Sequence, residues 1–352
     1  MATHLTRAQA VVPVPAPKKY TPAKIVRGIL GGLPLPVQNY TSAEMASAIR
    51  APLEARSFDL VHLDSIHLCS IIPLIRSLAP NAKVVLDWHN IESELMARYA
   101  RNAHSKLKAL YARETARRLV HLEDKMLRDC SGHVVCSARE RQELLHRNTQ
   151  AHVAVIENGV DTRHFQPAPS TTVRMRVIFV GQMAYHANAD AAVWFVNTIW
   201  PSVRERFPDL SLAIVGSDPT PAVRALAQRP GIEVTGTVPD VLPFYQDAFA
   251  SVVPLQTGGG TRLKILEAMA AGAPVVSTAL GAEGLQVNDG VHFLRADERA
   301  QSWIGAFEKL SDETMSSALI GEARALVCRE YDWHIIGKRL ATTYEEWLRA
   351  VH

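Results

Sequence analysis

The sequence is poor in cysteine and shows no arrangement that would use it. Its 352 residues include Cys69, Cys130, Cys136 and Cys328, and no two of these form a C-x-x-C pair. That argues against a zinc motif and against a disulfide framework. A reducing cytoplasm is therefore the expected compartment. His62, His67, His133 and His186 also lack metal-ligand spacing, so they are read as structural or surface residues and no metal is expected. No stretch approaches the roughly 20 apolar residues of a membrane-spanning helix. The opening MATHLTRAQAVVPVPAPKKY contains no long apolar run of the kind a secretory leader has. Internal repeats are absent, and the only biased tract is the Pro-rich VPVPAP at 12–17. Excess charge of one sign is small: 38 Lys and Arg against 35 Asp and Glu leave a net +3. Such mild basicity suits an anionic ligand or an anionic membrane surface and does not single out nucleic acid.

What is present is an ordinary globular composition, 47% hydrophobic and 21% charged, in a chain long enough for two domains. Residues 1–40 are broken by Pro and Gly, so any helix there is short. From residue 41 a regular alternation begins. TSAEMASAIRAPLEAR predicts a helix capped by Thr41 or Ser42, followed by the strand FDLVHLD (58–64), the helix SIIPLIRSLAP and the strand KVVLDWH (83–89). Leu107, Leu110, Tyr111, Leu119, Leu122 and Met126 fall near a 3.6-residue period and predict an amphipathic helix over 105–129. The strand GHVVCS (132–137) follows, and Ser137 and Glu140 have capping-box spacing. VAVIENGVD reads as strand plus turn, with Asn158-Gly159 turning at a domain junction.

PAPSTTVRM (167–175) reads as a linker to a second series. Its expected strands are RVIFVG (176–181), LSLAIVG (210–216), IEVTG (232–236), FASVVPL (249–255) and APVVST (273–278). Helices are expected near 188–207 and 220–228, and over most of 298–350. Alternating strands and helices imply βαβ units and parallel sheets. The expected fold is α/β, with two Rossmann-like, doubly wound domains facing a cleft. The expected boundaries are 1–166, 167–330 and a final helix, 331–352, packing back towards the first domain. Ligands in such sheets bind at the carboxyl ends of the strands.

One stretch concentrates the chemistry. GGGTRLKILEAMAAGAPVVST (258–278) places three glycines, Arg262, Lys264 and Glu267 between a strand and a helix. Unpaired N–H groups and partial positive charge at a helix amino end attract anions. Glycines let the backbone approach a ligand closely, and Arg262 and Lys264 add full charge suited to phosphate oxygens. A carboxylate such as Glu267 suits a ribose diol, since it accepts two hydroxyl protons. The plainer alternative is an exposed Lys264–Glu267 pair, worth only tenths of a kcal/mol. Neither a Walker A ending nor GxGxxG occurs here, which argues against a P-loop NTPase and a dinucleotide dehydrogenase.

This stretch, together with VIFVGQM, LAIVG, ENGVD and GAEGL, resembles the GT-B glycosyltransferases of family 4, most closely the branch found in bacterial exopolysaccharide clusters. The resemblance runs over about residues 41–350 and is strongest in 150–285. It implies a retaining, metal-independent transferase without a cofactor. The donor would be a nucleoside-diphosphate sugar of UDP or GDP type, held mainly by the second domain, and the acceptor a glycan or a lipid-linked glycan. It implies that Glu267 holds the ribose, as the second Glu of the family's E-x7-E pattern. Gly259 stands where the first Glu would be. Gln182 replaces the usual Arg after the domain's first strand, and Ala187-Asn188-Ala189 lacks the usual Lys. Arg262 and Lys264 are expected to carry the diphosphate charge instead. The donor site is expected to comprise Gly181, Gln182, Gly258, Gly259, Gly260, Thr261, Glu267 and Glu283, although Glu283 fits a plain turn equally well. The resemblance places His89 against the donor sugar; a capping or packing role is the alternative.

Asn90, Glu92 and Asp64 are the remaining candidates for contact with sugar or acceptor. Glu92 and Glu94 also suit a helix's first turn, where the dipole favours acids. The basic 105–129 segment carries four acids and reads as a poor membrane anchor. The basic, apolar KKYTPAKIVRGILGG is the better candidate for peripheral contact with the inner face of a membrane. A full first domain of the family opens with a strand and a Gly-rich loop, and nothing of that kind precedes Val11. A strand–helix–strand unit is therefore expected to be missing at the front. Two rival readings stay open: a catalytically degenerate protein that binds nucleotide or glycan, and a GT-B nucleotide-sugar 2-epimerase.

Overall fold

The computed structural model describes residues 11–17, 19–102, 105–168, 175–258 and 262–349. The chain divides into two compact units, one formed by residues 1–156 with 342–352 and the other by 157–341. Each contains its own hydrophobic core.

The first unit begins with the short helices α1 (Pro22–Leu30) and α2 (Leu35–Tyr40). Next come α3 (Ala43–Ala55), β1 (Leu60–Leu63), a 3-10 turn running into α4 (Ile72–Leu78), and β2 (Lys83–Asp87). The unit continues through α5 (Glu92–Asn102), α6 (Lys106–Asp129), β3 (Gly132–Val135), α7 (Ala138–Arg147) and β4 (Val153–Val155). The four strands form one parallel sheet in the order β1-β2-β3-β4. Parallel neighbours require crossover connections, and the helices supply them. Ser42 caps α3 by accepting from the Met45 N–H at 3.0 Å. Ser137 caps α7 as expected, accepting from the Glu140 N–H at 3.3 Å, while its hydroxyl donates to the Glu140 carboxylate at 3.0 Å in place of the backbone N–H that a capping box uses.

The last turns of the chain belong to this unit. The Trp347 ring lies over Gly132, where a β-carbon would come within 2.6 Å of it. The Tyr344 hydroxyl pairs with Nδ1 of His62, and the Lys83 ammonium donates to the Trp347 carbonyl. Beneath the sheet, Glu123 is fully buried and accepts from the Ser93 N–H (2.9 Å), the Ser93 hydroxyl (2.6 Å) and Arg147 (2.8 Å). Those bonds satisfy a carboxylate that would otherwise be costly to bury. Cys69 and Cys130 are buried as free thiols, and burial pushes both up to about 12, which makes them inert at neutral pH.

The second unit runs through β5 (Arg176–Val180), α8 (His186–Trp194), α9 (Trp200–Arg206), β6 (Ser211–Val215) and α10 (Pro221–Ala225). It continues with β7 (Ile232–Gly236), α11 (Leu242–Gln246), β8 (Ala248–Val253), α12 (Leu263–Ala270), β9 (Val275–Ser277) and β10 (Leu294–Arg295). α13 (Ala300–Leu310), α14 (Glu313–Leu326) and α15 (Trp333–Arg349) complete the chain. Six parallel strands are ordered β10-β9-β8-β5-β6-β7. From β5 the chain winds outward through β6 and β7, then returns to β5's other side and winds through β8, β9 and β10. The order therefore reverses between β5 and β8, and the carboxyl ends of those two strands flank the crevice where such sheets take ligands.

Two expectations are corrected, and two further elements come to light. The single helix expected near 188–207 is α8 and α9 joined by a π turn, Phe195–Ile199. Pro201 lacks the N–H that would continue the helical ladder there. α11 and β10, five and two residues long, are too short to show a period, and the sequence pattern does not reveal them. The expected apolar stripe of 105–129 splits. Leu119, Leu122 and Met126 are buried with Ala112 and Ala116, whereas Leu107, Leu110 and Tyr111 are 80%, 65% and 41% exposed. At 100° per residue, Leu110 lies about 200° from Ala112 and faces away from the core.

Candidate functional site

In the second unit, the crevice between β5 and β8 brings two loops together. β5 ends at Val180, and Gly181 donates its N–H to the Val215 carbonyl at 3.0 Å. A β-carbon on Gly181 would lie 2.8 Å from the Lys264 ammonium and 2.9 Å from the Asn188 amide nitrogen. Its missing side chain thus admits Lys264. That ammonium donates to Asn188 Oδ1 at 2.8 Å and lies 4.7 Å from the centre of the Phe179 ring. Asn188 is itself buried, and its amide donates to the Gln182 carbonyl at 2.9 Å. The Gln182 side chain is exposed. Enclosure and the neighbouring Arg262 charge push the Lys264 pKa down to about 7. The ammonium is therefore poised to gain from an arriving anion.

Arg262 caps α12 from a buried position and donates to the Leu280 carbonyl at 3.4 Å. Gly258 is held at φ +114°, which a residue with a side chain rarely adopts, and a β-carbon there would lie 3.2 Å from Ala187 and 3.6 Å from Arg262. Gly259, Gly260 and Thr261 lie outside the described residues. Further along α12, Glu267 accepts from the Tyr245 hydroxyl at 3.0 Å, and burial pushes its pKa up. Tyr245 is fully buried. Glu283 is exposed, in a turn closed by its N–H on the Leu280 carbonyl at 3.3 Å. Beyond Leu280 a cavity of about 770 Å³ opens among Leu255, Gln256, Thr278, Arg295 and Arg299. Gly181, Gly258, Arg262 and Lys264 are thus brought together, with Glu267 one turn beyond Lys264.

Sequence reasoning missed Asn188, Phe179 and Tyr245 as parts of this site. In the sequence Asn188 marks only the absence of a Lys. The fold delivers a Lys to that position from 76 residues away.

In the first unit the candidates lie at the carboxyl ends of β1 and β2. His89 takes φ +30°, an unusual value for a residue with a side chain. That turn directs Nε2 to Asp64 Oδ1 at 3.2 Å and brings Nδ1 within 3.5 Å of Asp87 Oδ1. The other oxygen of Asp87 lies 3.8 Å from His62 Nε2. Asp87 thus bridges two imidazoles, a relationship the sequence did not reveal. Asp87, His89 and Cys136, and likewise His62, Asp64 and Asp87, offer donor atoms within 4.8 Å of one another. Asn90 follows His89, half-buried. Glu92 opens α5, and burial, with the charge of Glu123 adding, pushes its pKa up to about 7. His133 is buried beside Trp88, whose indole N–H donates to its Nδ1 at 3.2 Å, and burial pushes its pKa down to about 4, so it is neutral.

Three comparisons with known proteins bear on this chain. Residues 174–313 match the family described as glycosyl transferases group 1, and residues 1–164 match Glycosyltransferase Family 4. The chain belongs to the family 4 glycosyltransferases. Curated relatives include the D-inositol 3-phosphate glycosyltransferase of Thermobispora bispora, 28% identical over 62% of this chain and 56% of that protein. The phosphatidyl-myo-inositol mannosyltransferase of Mycobacterium tuberculosis is 28% identical over 54% of this chain and 53% of its own length. The matches thus span a little over half the length of those relatives. Among solved structures, sucrose-phosphate synthase from Thermosynechococcus elongatus superposes with a TM-score of 0.70 at 20% identity, covering 97% of this chain and 84% of that one. Anabaena HepE, solved in complex with UDP, superposes at 0.64 with 16% identity, covering 86% of this chain and 82% of that one. These neighbours place the protein in the GT-B fold. Among the described residues, no helix is long and apolar enough to cross a membrane.

Proposed function

We infer that the protein transfers a sugar, with retention at the anomeric carbon and without a metal, from a nucleoside-diphosphate sugar to a glycan or lipid-linked acceptor. The observation that carries this reading is the Lys264–Asn188 bond across the reversal between β5 and β8. It sets a cation of depressed pKa beside Arg262 and the start of α12. A diphosphate there meets two cations and unpaired helix N–H groups. The same groups stabilise charge developing on the leaving phosphate, and such stabilisation commonly lowers the barrier more than any other effect. In the transfer, the bond from the anomeric carbon to the diphosphate oxygen breaks and one to the acceptor oxygen forms. The acceptor's proton passes to the departing phosphate. Glu267 accepts from the ribose hydroxyls, and His89 is assigned to the sugar. HepE structures with UDP and with UDP-glucose lend support to a donor of UDP type; GDP is the alternative. An exopolysaccharide role at the inner face of a membrane completes the reading.

Calorimetric titration with UDP, GDP and ADP tests it. One diphosphate should bind, and Arg262→Ala and Glu267→Ala should each remove binding. Absence of binding by all three would sink the reading. Binding without turnover of any donor sugar would favour the degenerate-protein alternative.

A further inference from the structure

The exposed end of the α5–α6 pair combines cations with exposed apolar side chains. Residues 95–113 contain Arg98, Arg101, Lys106, Lys108 and Arg113 and no acid at all. The four acids of α6, which made the whole segment read as a poor anchor, are largely accounted for: Glu114, on the face of Leu110 and Tyr111, is held by Arg117 at 2.8 Å, Glu123 is buried, Asp124 is held by Arg147 at 2.6 Å, and Asp129 ends the helix. Within this acid-free stretch Leu107 is 80% exposed, Leu110 65%, Tyr111 41% and, on α5, Tyr99 47%. Leu107, Leu110 and Tyr111 are spaced i, i+3, i+4, so they share one face of α6 and form a single apolar ridge. Lys106 and Arg113 are exposed on the same end of the helix, and their long stems can lie along apolar surface while their charges stay in water. Arg118 continues the stripe of Leu107 and Tyr111, at i+11, and its guanidinium holds the carbonyls of Gly28 and Gly31. It thereby anchors the end of α1, which carries the exposed Ile25 and Val26, beside α6.

We propose that this end of α6 docks on an anionic phospholipid surface, with Leu107, Leu110 and Tyr111 entering the headgroup layer and Arg101, Lys106, Lys108 and Arg113 paired with lipid phosphates; Arg98 is paired with Glu94 at 3.4 Å. Leucines on one helix face with flanking Lys and Arg are the composition that lies in a bilayer interface, where a tyrosine is also at home. Charge decides between occupants. A second copy of the chain docking through this face about a two-fold axis would set these four cations against four of the same sign. An anionic leaflet complements them. The proposal supplies a surface for the membrane contact in the function proposed above, and it rests on that reading only for its biological purpose. Vesicle binding needs no nucleotide, so the two can fail separately.

Co-sedimentation of the full chain tests it, with vesicles of phosphatidylcholine alone and of phosphatidylcholine with phosphatidylglycerol. The chain should sediment with the anionic vesicles and be released by high salt. Lys106→Glu/Lys108→Glu should weaken binding about fivefold or more per cation. Leu107→Ser/Leu110→Ser should weaken it about tenfold or more. Both variants should keep the wild-type circular dichroism, melting temperature and diphosphate titration, since the replaced side chains are exposed. Equal sedimentation with both vesicle types, or no sedimentation with either, overturns the proposal. So does a wild-type dimer in light scattering that Leu107→Ser/Leu110→Ser dissolves, because that would make the ridge a protein interface. Failure of the wild type to bind any diphosphate would count against the donor site and leave the vesicle result standing.

Discussion

The Lys264 ammonium donates to Asn188 Oδ1 at 2.8 Å, joining the helix after β8 to the helix after β5 across the point where strand order reverses. Asn188 can accept that bond because its amide nitrogen is already used on the Gln182 carbonyl, which fixes the orientation of the amide.

A cation held this way should matter more to the ligand than to the fold. Lys264→Met should bind the preferred diphosphate about 10- to 100-fold more weakly, the loss of one charge-assisted hydrogen bond. It should leave the empty protein as stable at pH 7 or more so, since it removes a charge that is costly to enclose. Calorimetry and chemical denaturation on the same variant check both halves. Asn188→Ala should weaken binding less, and a double-mutant cycle with Lys264→Met should show coupling.

Lys264 also predicts proton uptake. Its folded pKa of about 7 leaves it mostly neutral at pH 8, and a bound diphosphate raises that pKa. Binding at pH 8 should therefore take up nearly one proton, and at pH 6 far less from this group. Titrations in two buffers of different ionisation enthalpy measure the number. No uptake at pH 8 would mean that the diphosphate does not meet this ammonium.

Glu92 makes stability depend on pH. Its folded pKa of about 7 lies above its ordinary value of 4.5, so the folded chain keeps a proton the unfolded chain has released. This contribution is fully present below pH 4.5 and is lost as the pH rises to about 7. Glu92→Gln should be more stable than the wild type above pH 7 by roughly 1–3 kcal/mol, the difference vanishing near pH 4.5. Urea unfolding of both proteins at the two pH values reads the effect.

Gly132 tests the docking of the chain's end. A β-carbon there would lie 2.6 Å from the Trp347 ring, so Gly132→Ala forces the ring to move. The expected cost is about 1–3 kcal/mol. Trp347→Leu, destabilising by itself, should absorb the added methyl, so the double variant should be more stable than the sum of the two changes predicts.

Much of this was legible residue by residue. Ser42 and Ser137 announced their helices, because a cap is a contact within four residues. The strands of the second unit read as apolar runs because helices cover both faces of a parallel sheet. Arg262, Lys264 and Glu267 stood out because the strand, glycines and helix that place them are contiguous in the chain. Other features were invisible for an equally physical reason. Tyr245 meets Glu267 from 22 residues away, Asp87 bridges His62 and His89 from neighbouring strand ends, and α11 and β10 are shorter than any period.

The chain's own order of residues therefore determined the two α/β series, their helix starts and a stretch that sets glycines and two cations between a strand and a helix. These follow from local periods, caps and backbone freedom, which need no distant partner. Tertiary structure alone decided that Lys264 fills the place beside Asn188, and that His89 turns back onto Asp64 and Asp87. It also left Leu107, Leu110 and Tyr111 outside a core they were expected to join. Strand order and the rotation of a helix about its axis are set by what packs against them, and a sequence window contains only the residues beside it in the chain.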